Sequence, residues 1–179
     1  MVLADRVTAL GLEGATVLEI GGGVGALQVE LIQRGAASAV NVDLTDVWRP
    51  QAERLASEVG VSDRSRFQVG DLVDDATALP ESDIVLLHRV VCCYPDWEKM
   101  IDAAAGRARR VIGFTIPRSS WIHRAFLFFG NRFEQLRGRS FRAFIHPTDG
   151  LLASLEDSGF AVVSDDHDLV WRTIVLVRG

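Results

Sequence analysis

Short apolar runs alternate with stretches of helical spacing along most of the chain. Residues 16–20 (TVLEI) are a β-rich run that ends in Gly21-Gly22-Gly23-Val24-Gly25, and 26–34 follow with apolar positions at Leu27, Leu31 and Ile32 before Gly35. That order predicts a strand, a tight glycine turn, a helix and a helix stop. The pattern recurs. Residues 38–42 read as a strand closing at Asp43, 50–59 as a helix stopped by Gly60, and 65–69 as a strand running into Gly70-Asp71. Residues 83–88 form a strongly apolar strand, 96–105 a helix and 109–115 another strand. Strands that alternate with helices in this way predict a parallel sheet covered on both faces.

The last third changes character. Residues 118–142 hold the apolar, aromatic stretch WIHRAFLFFGNRF interleaved with arginines, and 148–158 read as a helix ended by Gly159. Residues 160–164 and 170–177 read as strands joined by the acidic turn Asp165-Asp166-His167-Asp168. Strands joined so closely must be antiparallel neighbours. There is no internal repeat, low-complexity tract or Pro/Gly/Ser linker, so 1–179 is expected to form one domain, with 118–142 as a candidate lid.

Composition narrows the function. The chain has 179 residues, 48% of them hydrophobic, with a formal net charge of −5. These values suit one packed domain and exclude disordered, collagen-like and coiled-coil chains. A negative balance without a Lys/Arg run argues against nucleic acid as the main partner. No stretch approaches the roughly 18–20 apolar residues of a membrane span, and MVLADRVTAL lacks the pattern of a secretory signal. The two cysteines, Cys92 and Cys93, are adjacent and cannot staple distant segments, so a reducing compartment, the cytoplasm, is expected. Their side chains should diverge, and no CxxC or His-rich partner accompanies them. They read as buried small residues, and no metal site is expected. Lys99 is the only lysine, which leaves little room for lysine-based catalysis.

The glycine turn carries the chemistry. Glycines at a strand-to-helix turn allow positive φ and close backbone approach to a ligand, while the helix N-terminus offers free N–H groups. Gly21, Gly23 and Ala26 even satisfy the G-x-G-x-x-G/A dinucleotide pattern. Three acids at strand ends sharpen the reading. Asp43, closing the second strand, can accept hydrogen bonds from both hydroxyls of a ribose. Glu19 stands where it would repel a diphosphate but would suit an ammonium or sulfonium. Asp71 can take the exocyclic amine of adenine, with Leu72 covering the ring. Ribose, adenine and a cationic tail together describe S-adenosylmethionine.

At these residues the chain resembles the class I S-adenosylmethionine-dependent methyltransferases. The resemblance lies in VLEIGGGVGAL (17–27), VNVDLTD (40–46), FQVGDLVD (67–74) and DIVLLHRVVCCYPDW (83–97), and extends over nearly the whole chain. It implies a Rossmann-like, doubly wound, three-layer α/β/α fold, mostly parallel with an antiparallel C-terminal strand and a helical, arginine-rich insertion. It also implies that Glu19, Gly21, Gly22 and Gly23 hold the methionine part of the cofactor. Asp43 and Leu44 would hold the ribose, Asp71 and Leu72 the adenine, with His88 and Arg89 completing the site. Two departures stand out. His88 sits where many relatives carry Asn or Asp. Only a short segment precedes the first strand, so the N-terminal helical cap of relatives is either absent or replaced by the insertion. Tyr94-Pro95-Asp96 is loosely similar to magnesium-protoporphyrin O-methyltransferases.

Methyl transfer from a sulfonium is an in-line displacement from an activated donor, so alignment and exclusion of water dominate. A base helps only where the acceptor holds a proton of high pKa. His88 and Tyr94 are the candidate catalytic residues: His88 as base or as a hydrogen-bonded wall residue, Tyr94 as a positioning group. Arg89 could bind a carboxylate or point outward. His123 and His146, flanking the insertion, read as surface or capping residues. The segment 118–142 holds six arginines against one glutamate, leaving the rest of the chain with the whole negative balance. A hydrophobic small-molecule acceptor bearing an anionic group fits that asymmetry, and O-methylation is expected. Three alternatives compete: a nicotinamide-dependent oxidoreductase, a protein or nucleic-acid methyltransferase of the same fold, and a non-catalytic cofactor-binding protein. The sequence is silent on oligomeric state.

Overall fold

The computed structural model describes residues 1–118 and 143–179. Its strands are β1 (Thr16–Ile20), β2 (Ser38–Asp43), β3 (Ser65–Val69), β4 (Ser82–His88), β5 (Ala108–Pro117), β6 (Phe160–His167) and β7 (Trp171–Arg178). The helices are α1 (Val2–Ala9), α2 (Ala26–Gln33), α3 (Arg49–Val59), α4 (Trp97–Arg107) and α5 (Thr148–Asp157). Apart from Arg118, the candidate lid at 118–142, with His123 and the aromatic run, lies outside the described residues.

The strands form one sheet in the order β3-β2-β1-β4-β5-β7-β6. β1 to β5 are parallel, and β7 runs antiparallel to both β5 and β6. This is the Rossmann-like arrangement with an antiparallel C-terminal pair that the sequence predicts. Residues alternate between the faces of a strand, so β4 splits its apolar run. Ile84 and Leu86 pack with Leu3, Val7 and Leu31 beneath α1 and α2. Val85 and Leu87 pack with Met100, Ile101 and Leu151 beneath α4 and α5. The chain steps outward from β1 in one direction to β2 and β3, and in the other to β4 and β5. A crevice therefore opens at the carboxyl ends of β1, β2 and β4, the switch point where such sheets hold ligands.

Two elements depart from the expectation. The segment before β1 forms a helix that the sequence reading did not assign, and α1 lies against β5, β7 and α2, outside the cavity at the carboxyl ends of the strands. Its signal is brief: Leu3, Ala4 and Val7, one helical face, are fully buried. Gly113 leaves room for it, since a Cβ there would stand 2.8 Å from Leu3 Cδ1. Leu3→Ala is expected to cost about 2–5 kcal/mol in urea denaturation, as a large apolar side chain leaves a filled site.

The acidic turn is the second correction. Asp165, Asp166 and His167 belong to β6, and the turn is confined to Asp168, Leu169 and Val170. Partners on the two faces of the strand hold the acids. Asp165 accepts from Arg172 (2.9 and 2.6 Å), and Asp166 accepts from Arg6 of α1 (2.8 and 2.6 Å). The Asp168 carboxylate closes the turn by accepting the Val170 and Trp171 N–H groups, both at 2.7 Å.

Candidate active site

The glycine turn is built from beneath. Asn41, fully buried in β2, accepts the Gly22 N–H (3.0 Å) and donates to the Gly23 carbonyl (2.9 Å). Gly21 adopts φ +63°, and a Cβ there would come within 2.4 Å of Val90 Cγ2. A Cβ at Gly22 would stand 2.5 Å from Glu19 Cδ and 2.8 Å from Asn41 Oδ1. These approaches explain the glycines at both positions. Asn41 escaped the sequence reading; its signal was a polar residue inside an otherwise apolar strand.

Glu19 lies beneath the turn. It is buried there, outside the cavity wall, and its Oε2 accepts the Gln28 N–H at 3.0 Å. Gly25 caps α2 and has no side chain to accept from the helix's first turn. Glu19 supplies that acceptor across the turn, at the third helical position. Burial pushes its carboxyl up to about 7, against the opposing Gln28 hydrogen bond.

Above the turn lies a cavity of about 430 Å³. Its wall includes Gly21, Asp43, Leu44, Asp71, Leu72, Arg89 and Tyr94 from the expected set, together with Trp48, Cys93 and Met100, which were not anticipated. Asp43 accepts one long backbone bond from Thr45 (3.3 Å). Asp71 accepts the Val73 N–H (2.8 Å), and the Tyr94 hydroxyl stands 3.4 Å from each of its oxygens. Burial, and then the charges of Asp71, Asp74 and Asp96, hold the Tyr94 phenol above its ordinary pKa, so it keeps its proton. Gly22 and Gly23 are outside the wall, although Gly23 is 3.9 Å from the Trp48 ring, measured from where its Cβ would be.

The end of β4 sends two neighbours to different faces. His88 shares the face of Ile84 and Leu86, away from the cavity, with Nδ1 3.1 Å from Thr115 Oγ1; that hydroxyl is 3.1 Å from Thr173 Oγ1. Burial, with a smaller contribution from the Arg89 charge, pushes its pKa down to about 4, so the ring is neutral near pH 7. His88 is therefore not among the residues that line this cavity. Arg89 adopts φ +60°, an uncommon left-handed backbone for a side chain of this size. Its guanidinium lies 4.5 Å from the centre of the Trp171 ring, a cation–π contact.

Val90, Cys93 and Tyr94 complete the wall around a 3-10 turn over Val91–Cys93. His146 Nε2 lies 3.1 Å from the Val91 carbonyl and 2.9 Å from that of Tyr94, and the Phe144 N–H donates to the Cys92 carbonyl (2.7 Å). Two acceptors facing one ring nitrogen require the proton on Nε2. His146 thus straps the turn.

Two carboxylates beside apolar side chains at a switch point suit a nucleoside. Residues 1–102 match the family described as O-methyltransferase domain. The chain belongs to that family. It is an enzyme, a class I S-adenosylmethionine-dependent methyltransferase. Comparison with curated protein sequences yields no match. Among solved structures, this methyltransferase is similar to magnesium protoporphyrin IX methyltransferase from Synechocystis PCC 6803 with bound S-adenosylhomocysteine. The two are 24% identical with a TM-score of 0.79, over 98% of this chain and 82% of that one. An O-methyltransferase family protein from Burkholderia thailandensis gives 19% identity and a TM-score of 0.79, over 98% of this chain and 55% of the other. A family 2 O-methyltransferase from Planctomyces limnophilus in complex with apigenin gives 15% and 0.75, over 99% and 57%. The methyltransferase thus spans little more than half the length of the latter two. No helix among its described residues is long and apolar enough to cross a membrane.

Proposed function

We propose that this enzyme methylates an oxygen of a small, largely apolar acceptor, with the cofactor lying in the cavity above the glycine turn. The observation that carries the reading is the meeting of Asp43, Asp71, Leu44 and Leu72 around about 430 Å³, a volume suited to a nucleoside-sized ligand. In this reading Asp43 accepts the ribose hydroxyls, Asp71 the adenine amine, and Leu72 covers the base. Gly21 lets the backbone approach the methionine end. The bound cofactor supplies an electrophilic methyl on a sulfonium. The chain's own residues align the acceptor and keep water out.

The acceptor oxygen is best already ionised near neutral pH. Tyr94 keeps its proton among three carboxylates, and His88 lies on the other face with a strongly lowered pKa. Neither suits the removal of a proton from an aliphatic alcohol, whereas a carboxylate or an acidic enol needs no base.

Titration calorimetry tests the cofactor part: heat is expected with S-adenosylhomocysteine and none with NADH, and the reverse would overturn it. Methyl transfer from labelled S-adenosylmethionine to a panel of hydrophobic carboxylates, acidic enols and alcohols tests the acceptor part. Labelling confined to alcohols would sink the ionised-acceptor reading.

A further inference from the structure

Both cysteines of the chain meet at the 3-10 turn. Cys92 is buried, Cys93 is exposed in the cavity wall, and their Sγ atoms are 3.8 Å apart. The expectation of two divergent, buried side chains does not hold, because the turn after Arg89 brings both sulfurs toward one point. Each also approaches the Arg89 carbonyl, at 3.6 and 3.9 Å. The Cys92 S–H, donated to Cys93, lowers the exposed thiol to about 7 against its burial and raises its own pKa above the usual range. A thiolate open to a cavity is the nucleophilic form of cysteine.

We propose that Cys93 is an oxidation site in the wall of the cofactor cavity, taking hydroperoxides as its oxidant, with Cys92 as the resolving thiol. The inference rests on the proposed cofactor position only for what the oxidation would block. In the first step the Cys93 sulfur attacks one peroxide oxygen. An S–O bond forms, the O–O bond breaks, sulfur is oxidised, and the peroxide is reduced as hydroxide leaves. That hydroxide takes the Cys92 proton and becomes water. The new Cys92 thiolate attacks the Cys93 sulfenic acid, forming the S–S bond and expelling a second hydroxide. One thiolate, one thiol and one hydrogen peroxide thus give one disulfide, one water and one hydroxide.

Closing that ring disturbs the cavity. Adjacent Cα atoms stand about 3.8 Å apart across a trans peptide, below the roughly 4.4 Å at which disulfides usually begin. That separation is fixed by the chain, so bringing the sulfurs from 3.8 Å to about 2.0 Å must rotate the backbone of the turn, which carries Val90 and Tyr94 of the cavity wall. His146 and Phe144, which hold its carbonyls, must yield as well.

Intact-mass measurement after hydrogen peroxide treatment tests this in wild type, Cys92→Ser and Cys93→Ser. Wild type is expected to lose two hydrogens, reversibly with dithiothreitol. Cys92→Ser should gain one oxygen that dimedone traps at residue 93, and Cys93→Ser should stay unchanged at the same dose. Oxidation of Cys93→Ser at the wild-type rate, or no adduct on Cys92→Ser, would overturn the proposal. S-adenosylhomocysteine at 100 times its Kd leaves about 1% of sites free, so wild-type oxidation should slow about a hundredfold. An unchanged rate under proven saturation would overturn the placement. If calorimetry on reduced protein detects no binding at all, the cofactor reading fails separately, and the mass changes alone decide the oxidation site.

Discussion

Replacing Asp43 by asparagine is expected to weaken S-adenosylhomocysteine binding by about 10–100-fold in titration calorimetry while leaving thermal stability nearly unchanged. A hydrogen bond to a charged group is worth about 1.5–3 kcal/mol, and the substitution removes the charge while turning one acceptor into a donor. Little in the fold depends on that charge, because the Asp43 carboxylate accepts only a long 3.3 Å bond from Thr45 among the described residues. Asp71→Asn should behave differently. Its carboxylate accepts a 2.8 Å bond from Val73 and faces the Tyr94 hydroxyl, so that variant should lose stability as well as affinity. Wild-type affinity in both variants would move the cofactor away from this cavity.

Much of this architecture is written in the apolar pattern, and the parts that are not share a cause. Buried parallel strands are continuous apolar runs bounded by glycine or acid, so β1, β2 and β4 stand out with Asp43, while the more polar β3 is marked by the Gly70-Asp71 that follows it. Strand ends predict who reaches the carboxyl edge, but not which face each side chain takes. His88 and Arg89 are neighbours in sequence, yet one shares the face of Ile84 under α1 and the other reaches the cavity. Only the position of α1 would have separated them, and α1 is a short helix whose signal is Leu3, Ala4 and Val7. The place of Glu19 was hidden for a related reason. Its place before the glycines is equally right for a ligand above the turn and for a helix end beneath it. Gly25, a cap without a side chain, favours the helix end. The Asp165–His167 stretch read as a turn because acids punctuate loops, whereas here Arg6 and Arg172, remote in sequence or across the hairpin, neutralise two of them within a strand.

Glu19→Gln is expected to shift the dependence of stability on pH toward higher pH relative to wild type. The buried Glu19 carboxyl rises from 4.5 in the unfolded chain to about 7 in the fold. Between those values the folded state holds the extra proton, so stability from this group is full below about 4.5 and falls as pH rises through 7. At 1.36 kcal/mol per pH unit the loss is roughly 3 kcal/mol. His88 acts in the opposite sense over nearly the same window. Its pKa falls from 6.5 to about 4, so the unfolded state binds more protons between them and stability rises with pH. Half-burial and solvent screening reduce that gain but leave its sign. Glutamine at position 19 can still accept the Gln28 N–H and no longer titrates. Urea denaturation of Glu19→Gln between pH 4.5 and 7 should therefore show stability climbing with pH, and His88→Gln should show it falling. Parallel profiles for wild type and Glu19→Gln would mean that the carboxyl under the turn is ionised throughout. The capping of α2 would then be a hydrogen bond from the helix to a full negative charge.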